Sequence, residues 1–503
     1  MGLEQLFYAS VREYPDKTAV VCRDTRATYR QMLAGVNAYA EYLEGHSAPG
    51  ESILILAHNS VEQLQLLLAC FATGRIACPA NWRMSERDLA GLIRDCAFRL
   101  CLYDEACEKL LQDALALDGT ERNPTPITAV PPARESARFL PARPDGEYAL
   151  QYFTSGSTGR PKRVVHTHGS MLRYAQTYSR VSQWGPDDIY ETQSNLFHMS
   201  GFSCLISLFV GGTLVLMDRF QEDVFFGTME RERCTRISLV PTLISKCLSS
   251  GAFRKHDFSS VKKIVYGGSA LPLAQVQRTL SECSCLLEQA YGTTETCNVS
   301  VLSGEDHLKA ARGELDGKIL ESAGKPIPGV EILLVDEERK PIAAGVGEVA
   351  VRSPFLLTKL DGPAADNFLD NGFYCTGDIG RIDENGYIYL IDRKNDMIVS
   401  GGENIFPREV ENCIAHMVDD VSMVVVIGVP DACWGERVVA FVVRHPGSQI
   451  TGQEVIDYCR GRIAGYKKPK EVIFVDRIPL NTNGKVSRKL MKKLYARDYA
   501  DKP

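Results

Sequence analysis

Along the first half of the chain, short apolar runs alternate with longer stretches whose apolar residues recur at helical spacing. Residues 52–57 read as a buried strand, 61–71 as a helix and 213–217 as a second strand with its apolar core at 214–217. Such alternation predicts parallel sheets covered by helices. The Pro- and Arg-rich stretch 123–144 reads as a long connector, leading through Asp145-Gly146 into a strand at 148–153. Beyond about Gly380 the texture changes to a strand at 387–391, a charged turn, a helix at 407–416, strands at 421–429 and 438–443, a helix at 452–464 and a basic tail. The pattern predicts an α/β protein: a large N-terminal domain of parallel and mixed sheets covered by helices, residues 1–392, and a small α+β domain, residues 393–503, of ordinary domain size. No internal repeat or low-complexity tract interrupts it. Residues 199–217 carry no charge and are as long as a bilayer crossing requires. Ser200, Ser203, Ser207 and the Gly211-Gly212 break instead predict a buried helix, a turn and a strand.

Composition narrows the class. At 503 residues the chain exceeds what one core supports, and 45% hydrophobic with 24% charged residues excludes a disordered or fibrous protein. A net charge of −6 offers no broad attraction for nucleic acid. Sixteen cysteines are scattered without a C-x-x-C pair, which predicts reduced thiols in a cytoplasmic protein rather than disulfides or a metal cluster. Residues 1–12 carry Glu4 and lack a basic start followed by an apolar run, so they do not read as a signal peptide.

The chemistry concentrates in a few segments. Thr154-Ser155-Gly156-Ser157-Thr158-Gly159-Arg160-Pro161-Lys162 follows a strand directly. Glycines let the backbone approach phosphate oxygens, hydroxyls and amides donate hydrogen bonds, and Lys162 adds charge, so the loop suits a polyphosphate. It is not a Walker A loop, because Gly-Lys-Ser/Thr is missing. Tyr291-Gly292-Thr293-Thr294-Glu295-Thr296 combines an aromatic ring, a tight turn, hydroxyls and a carboxylate suited to Mg²⁺ on ATP phosphates. Tyr374-Cys375-Thr376-Gly377-Asp378 sets a carboxylate after a turn, a suitable acceptor for ribose hydroxyls. Asp392-Arg393-Lys394-Asn395-Asp396, Ser400-Gly401-Gly402-Glu403-Asn404-Ile405 and Asn481-Thr482-Asn483-Gly484-Lys485 complete the set.

In this order and spacing the motifs resemble those of the adenylate-forming superfamily, which includes acyl-CoA synthetases, the adenylation domains of peptide synthetases and firefly luciferase. The resemblance runs from about Tyr14 to Lys489. It implies that the small domain is mobile and that residues 154–162 form the phosphate loop, with Gly268, Ser269, Gln289, Ala290 and Tyr291 around adenine and the acyl carboxylate. Gly292 and Thr293 would join the nucleotide site, Thr294 would meet the α-phosphate, Glu295 the metal, and Asp378 and Arg393 the ribose. Lys485 would bridge the carboxylate and α-phosphate, supplying positive charge where two anions must meet. His198, Met199 and Gly201, within Leu196-Phe197-His198-Met199-Ser200-Gly201-Phe202, would form the acyl pocket, with Thr296, Cys297 and Asn298 adding to its wall. An amino-acid-activating domain usually carries an aspartate near His198, so a free amino acid is disfavoured.

The same resemblance implies a second half-reaction, in which rotation about a hinge at Asn395 removes Lys485 and brings Ser400, Gly401, Gly402 and Glu403 to a tunnel for a pantetheine arm. A side chain at either glycine would fill that tunnel. Trp434 offers an aromatic face, and Tyr466 beside Lys468 an aromatic next to a cation, suited to the nucleotide of coenzyme A. The chain departs from the family pattern at Arg163, where glycine usually follows the lysine, and at Asn395, where the hinge usually carries Asp or Lys. The expected activity is ATP- and Mg²⁺-dependent activation of a fatty or aromatic acid and its transfer to coenzyme A. Two alternatives stand beside it: loading of a phosphopantetheinyl carrier protein, toward which the 481–485 segment leans, and a non-catalytic nucleotide-binding member.

Overall fold

The computed structural model describes the chain except residues 1, 97, 120–123, 133–136, 156–160, 361–366, 480–485 and 501–503. The side chains of Ser155, Pro161, Lys359 and Leu360 are likewise outside the description. It is an α/β structure with a large N-terminal and a small C-terminal domain. Two sheets, of nine and seven strands, form the body of the large domain, and an antiparallel five-stranded sheet flanks them. The centre of the nine-stranded sheet is parallel: Thr18–Cys22, Thr213–Leu216, Ile189–Thr192, Arg236–Ser238, Lys263–Gly267 and Leu286–Thr293 lie side by side. In the seven-stranded sheet, Ser52–Leu56, Ile76–Pro79 and Leu100–Tyr103 run parallel.

The local reasons are the expected ones. In Ser52–Leu56 every residue from Ile53 to Leu56 is fully buried, and each such side chain contributes about 1.5–3 kcal/mol by leaving water. The following helix, Val61–Thr73, starts where Ser60 accepts from the Gln63 N–H and stops where Gly74 takes a left-handed φ of 70°. The uncharged stretch divides as anticipated into a 3₁₀ turn Met199–Gly201, a helix Phe202–Phe209 and a strand Thr213–Leu216. No helix among the described residues is long and apolar enough to cross a membrane.

Two expectations need amendment. The connector is not a free tether, because its Thr125–Pro126 segment adds a strand beside Leu100–Tyr103 and the Arg143 N–H donates to Glu4 at 3.0 Å. The helix expected over 452–464 spans only Gly452–Cys459, since Gly461 sits at a left-handed φ of 82° and the chain turns there. In the small domain, Val421–Asp431 and Gly435–Arg444 form a long hairpin, flanked by Ile398–Ser400 with Glu403–Ile405 and by Glu471–Phe474. Pro407–Ala415 and Arg488–Asp498 pack on its faces.

Candidate active site

Ligands of parallel α/β sheets sit beyond the carboxyl ends of the strands, and Gly268, Ser269 and residues 291–295 lie at or just past two such ends. Tyr148–Ser155 and Pro161–Thr167 form an antiparallel hairpin in which Thr154 faces Lys162. Gly156, Ser157, Thr158 and Gly159, between the two strands in sequence, lie outside the described residues. Gly268, at a left-handed φ of 80°, and the exposed Ser269 follow the strand end of Lys263–Gly267. A Cβ on Gly267 would come within 2.4 Å of the Ala290 carbonyl oxygen, so glycine is what lets these two strand ends approach. Gln289 Oε1 accepts from the Tyr266 hydroxyl at 3.3 Å. Beyond it, the 293–296 turn is stitched by the Thr293 N–H donating to Thr296 Oγ1 at 3.0 Å. Gly292 can be nothing larger, because a Cβ would fall 1.7 Å from the Cys297 carbonyl oxygen.

The most tightly built element is around Asp378. It pairs across strands with Arg393; its Oδ1 lies 2.7 Å from Arg393 Nε, and its Oδ2 accepts from the Tyr291 hydroxyl at 2.7 Å. Burial pushes the Asp378 carboxyl above the usual carboxylate range, against the opposing pull of Arg393 and Tyr291. Tyr291, Asp378 and Arg393, far apart in sequence, therefore form one hydrogen-bonded unit. Glu295, half-buried in the neighbouring turn, enters no ion pair among the described residues.

Of the residues of the expected acyl pocket, Asn298 meets Tyr174 directly. The Tyr174 hydroxyl accepts from Asn298 Nδ2 at 2.9 Å, and its ring lies 5.7 Å from Phe202 and 5.6 Å from Phe355. Cys297, fully buried at a φ of 55°, directs Sγ to the Phe355 carbonyl at 3.7 Å. His198 is half-buried, edge-on to Phe197 at 4.4 Å, and Met199 is buried. Gly201 serves packing: a Cβ would meet the Asn195 carbonyl oxygen at 2.4 Å. Tyr174 itself was not singled out in the sequence, where it reads as one more aromatic on a helix.

In the small domain Ser400 pairs with Gly435, and the Gly401 N–H donates to the Trp434 carbonyl at 2.8 Å. A Cβ on Gly401 would come within 2.8 Å of the Trp434 ring, whereas one on Gly402 would meet open space. The two glycines, expected to act alike, differ: one seats the indole and the other only needs a left-handed φ of 83°. Gly402 and Glu403 are exposed, and so is Trp434, at 55%. No ring pairing or hydrogen bond links Tyr466 or Lys468 to Trp434 among the described residues. Asn395 lies in the 3₁₀ turn Lys394–Asp396, where Lys394 pairs with Glu348 at 2.9 Å and Asp396 with Arg488 at 3.1 Å. Arg488 also holds Glu411 at 2.8 Å and approaches Asp392 at 3.7 Å, a clamp across the turn that sequence reading missed. Lys485 lies outside the described residues.

A two-domain α/β body with a glycine-rich hairpin and an aspartate held by tyrosine and arginine defines a nucleotide-handling class. The chain belongs to the family of AMP-binding enzymes: it matches the AMP-binding enzyme domain over residues 7–359 and the AMP-binding enzyme C-terminal domain over residues 409–485. Within that family it is an AMP-forming acid–thiol ligase. It is 31% identical to an indoleacetate–CoA ligase of Aromatoleum aromaticum, over 96% of each chain. It is 30% identical to ScoC of Streptomyces coeruleorubidus, a fatty acid–[acyl-carrier-protein] ligase, over 97% of this chain and 95% of the relative. Among solved structures, ATP-bound MatB from Rhodopseudomonas palustris superposes with a TM-score of 0.89 at 26% identity, covering 99% of this chain and 100% of that one.

Proposed function

We propose that the protein activates a fatty or aromatic carboxylic acid as its acyl-adenylate and transfers the acyl group to coenzyme A. In the first step a substrate carboxylate oxygen attacks the α-phosphorus of ATP and the bond to pyrophosphate breaks. In the second, the coenzyme A sulfur attacks the acyl carbon, the bond to AMP breaks and the thiol proton is lost to solvent. The observation that carries the reading is the Tyr291–Asp378–Arg393 unit beside the Thr294–Glu295 turn. An ionised Asp378 offers acceptors to ribose hydroxyls, and Arg393 and Tyr291 fix its orientation.

In this reading Thr154, Lys162 and residues 155–159 bind the phosphates, Gly268, Ser269, Gln289, Ala290 and Tyr291 flank adenine and the acyl carboxylate, Gly292 and Thr293 shape the turn, and Thr294 meets the α-phosphate. Lys485 supplies the cation between the reacting anions. Glu295, a half-buried carboxylate outside any ion pair among the described residues, fits the role of Mg²⁺ ligand. When bound, the ion would draw charge from the departing pyrophosphate. His198, Met199, Gly201, Thr296, Cys297 and Asn298 line the acid, while Ser400, Gly401, Gly402, Glu403, Trp434, Tyr466 and Lys468 serve the thiol step. The small domain, residues 393–503, moves about Asn395 between the two steps.

A second reading, loading of a phosphopantetheinyl carrier protein, is favoured by the likeness to the carrier-protein ligase ScoC. Incubating the enzyme with ATP, Mg²⁺ and a panel of aliphatic and aromatic acids, with coenzyme A or a phosphopantetheinylated carrier protein, separates the two by mass spectrometry. The proposal expects acyl-CoA and AMP. Acyl-carrier protein alone would replace it with the second reading, and no thioester from any acid would remove both.

A further inference from the structure

The geometry points to His166 as a positioning residue that ties the phosphate hairpin to the Thr294–Glu295 turn through a hydrogen bond to the Thr294 carbonyl. The inference rests on the ligase reading above and assigns a role to a side chain outside the nucleotide and acid sites. His166 lies on Pro161–Thr167, four residues beyond Lys162, in the seven-stranded sheet. Thr294 lies in the turn that leaves Leu286–Thr293 of the nine-stranded sheet. The His166 ring is fully buried, and its Nε2 lies 2.9 Å from the Thr294 oxygen. A carbonyl can only accept, so Nε2–H donates and the tautomer is fixed.

Two further observations separate this contact from ordinary core packing. His166 follows two buried valines, Val164 and Val165, on a strand where an apolar side chain would cost nothing in desolvation. Its other nitrogen, Nδ1, is buried and has no hydrogen-bond partner among the described residues, so the bond to Thr294 is the polar contact found there that repays its burial. Burial also lowers its pKa to about 4, so the ring stays neutral, with its proton on Nε2, across the range in which enzymes are assayed.

Threonine hydroxyls stitch the turn internally, and backbone bonds tie it and the hairpin to the 357–358 segment. The Leu357 N–H donates to the Glu295 carbonyl, and the Thr358 N–H to the Val165 carbonyl, both at 2.8 Å. Those links survive any side-chain change. The Thr294 carbonyl sets the plane of the peptide joining Thr294 to Glu295, and with it the directions in which those two side chains leave. The same hydrogen bond sets that plane relative to Lys162. A phosphoryl-transfer site works chiefly by such positioning, and a misplacement of about 1 Å can cost 10²-fold.

His166→Leu keeps similar volume and removes the donor. His166→Gln restores one, because its amide nitrogen stands as far along the side chain as Nε2. In acid-dependent pyrophosphate–ATP exchange, His166→Leu should lower kcat/KM for ATP about tenfold to a hundredfold while the KM for the acid stays within about twofold, and His166→Gln should recover most of the loss. Wild-type ATP kinetics in His166→Leu, an equal loss in His166→Gln, or a matching rise in the acid KM would each overturn the assignment. AMP affinity by calorimetry tests it independently of turnover. If wild type exchanges with no acid, the ligase reading fails, whereas AMP binding weakened in His166→Leu and restored in His166→Gln still supports the tie. AMP affinity unchanged in His166→Leu overturns it.

Discussion

Two stretches on either side of the Lys394–Asp396 turn are built in opposite ways. Around Asp378, a buried carboxylate is gripped from two directions at 2.7 Å by groups from two other strands. Across the turn, Gly401, Gly402 and Glu403 are exposed, two of them in left-handed conformations, and only Ser400 is buried. The first region is already assembled by direct contacts among Tyr291, Asp378 and Arg393, so it can hold a ligand as it stands. The second is an exposed surface, and under the proposed function it becomes a site only when another surface comes to face it. This contrast is what a two-step enzyme needs: one set of contacts kept throughout, another assembled for the second step.

The contrast can be broken most forcefully at Lys485. Lys485→Ala should reduce adenylation by at least about 10²–10³-fold while thioester formation from supplied acyl-adenylate stays near wild type. Stopped-flow measurement of each half-reaction checks this, and equal damage to both would dissolve the division of labour. Next in size, Asp378→Asn should lower kcat/KM for ATP by about tenfold to a hundredfold, since a charge-assisted hydrogen bond is worth about 1.5–3 kcal/mol. Because burial raises the Asp378 pKa, apparent ATP affinity should also decline on acidification earlier than an exposed carboxylate would dictate. A pH series of ATP KM values tests that.

On the other side of the turn, Gly401→Val forces a left-handed β-branched residue against the Trp434 ring and should slow thioester formation about tenfold or more, leaving pyrophosphate exchange within about twofold. Gly402→Leu sharpens the point. Its Cβ meets nothing within 4 Å in this arrangement, so a selective loss of the thiol step would show that another surface closes over it. The last expectation concerns stability rather than turnover. His166, His168 and His307 have pKa values lowered to about 4, chiefly by burial, from an ordinary value of 6.5, and all lie in the large domain. The unfolded chain binds the additional protons, so stability is intact above about pH 6.5 and falls as pH drops toward 4, by at most about 1.4 kcal/mol per histidine per pH unit. Urea midpoints measured across pH 7 to 5 should fall accordingly.

Much of this was legible from the residues. Short apolar runs bounded by turns located Ser52–Leu56 and Val421–Asp431 to within a few positions, because a strand with both faces largely buried reads as a continuous apolar run too short for a helix. The motif order identified the family before any geometry was known. What stayed hidden were contacts between distant segments: the bond from His166 to Thr294 spans 128 positions and that from Asn298 to Tyr174 spans 124. Arg488 looked like part of a basic tail, yet it clamps Asp396 and Glu411 because its helix packs beside the turn. The difference between Gly401 and Gly402 depends on where one indole ring lies, which periodicity does not encode.

The most direct test of the central claim is exchange of labelled pyrophosphate into ATP with acid and Mg²⁺ present and every thiol absent. The account predicts exchange that depends on the acid and needs no coenzyme A, because the nucleotide grip is complete before the thiol side is assembled. Exchange that appears only once coenzyme A is added would contradict it.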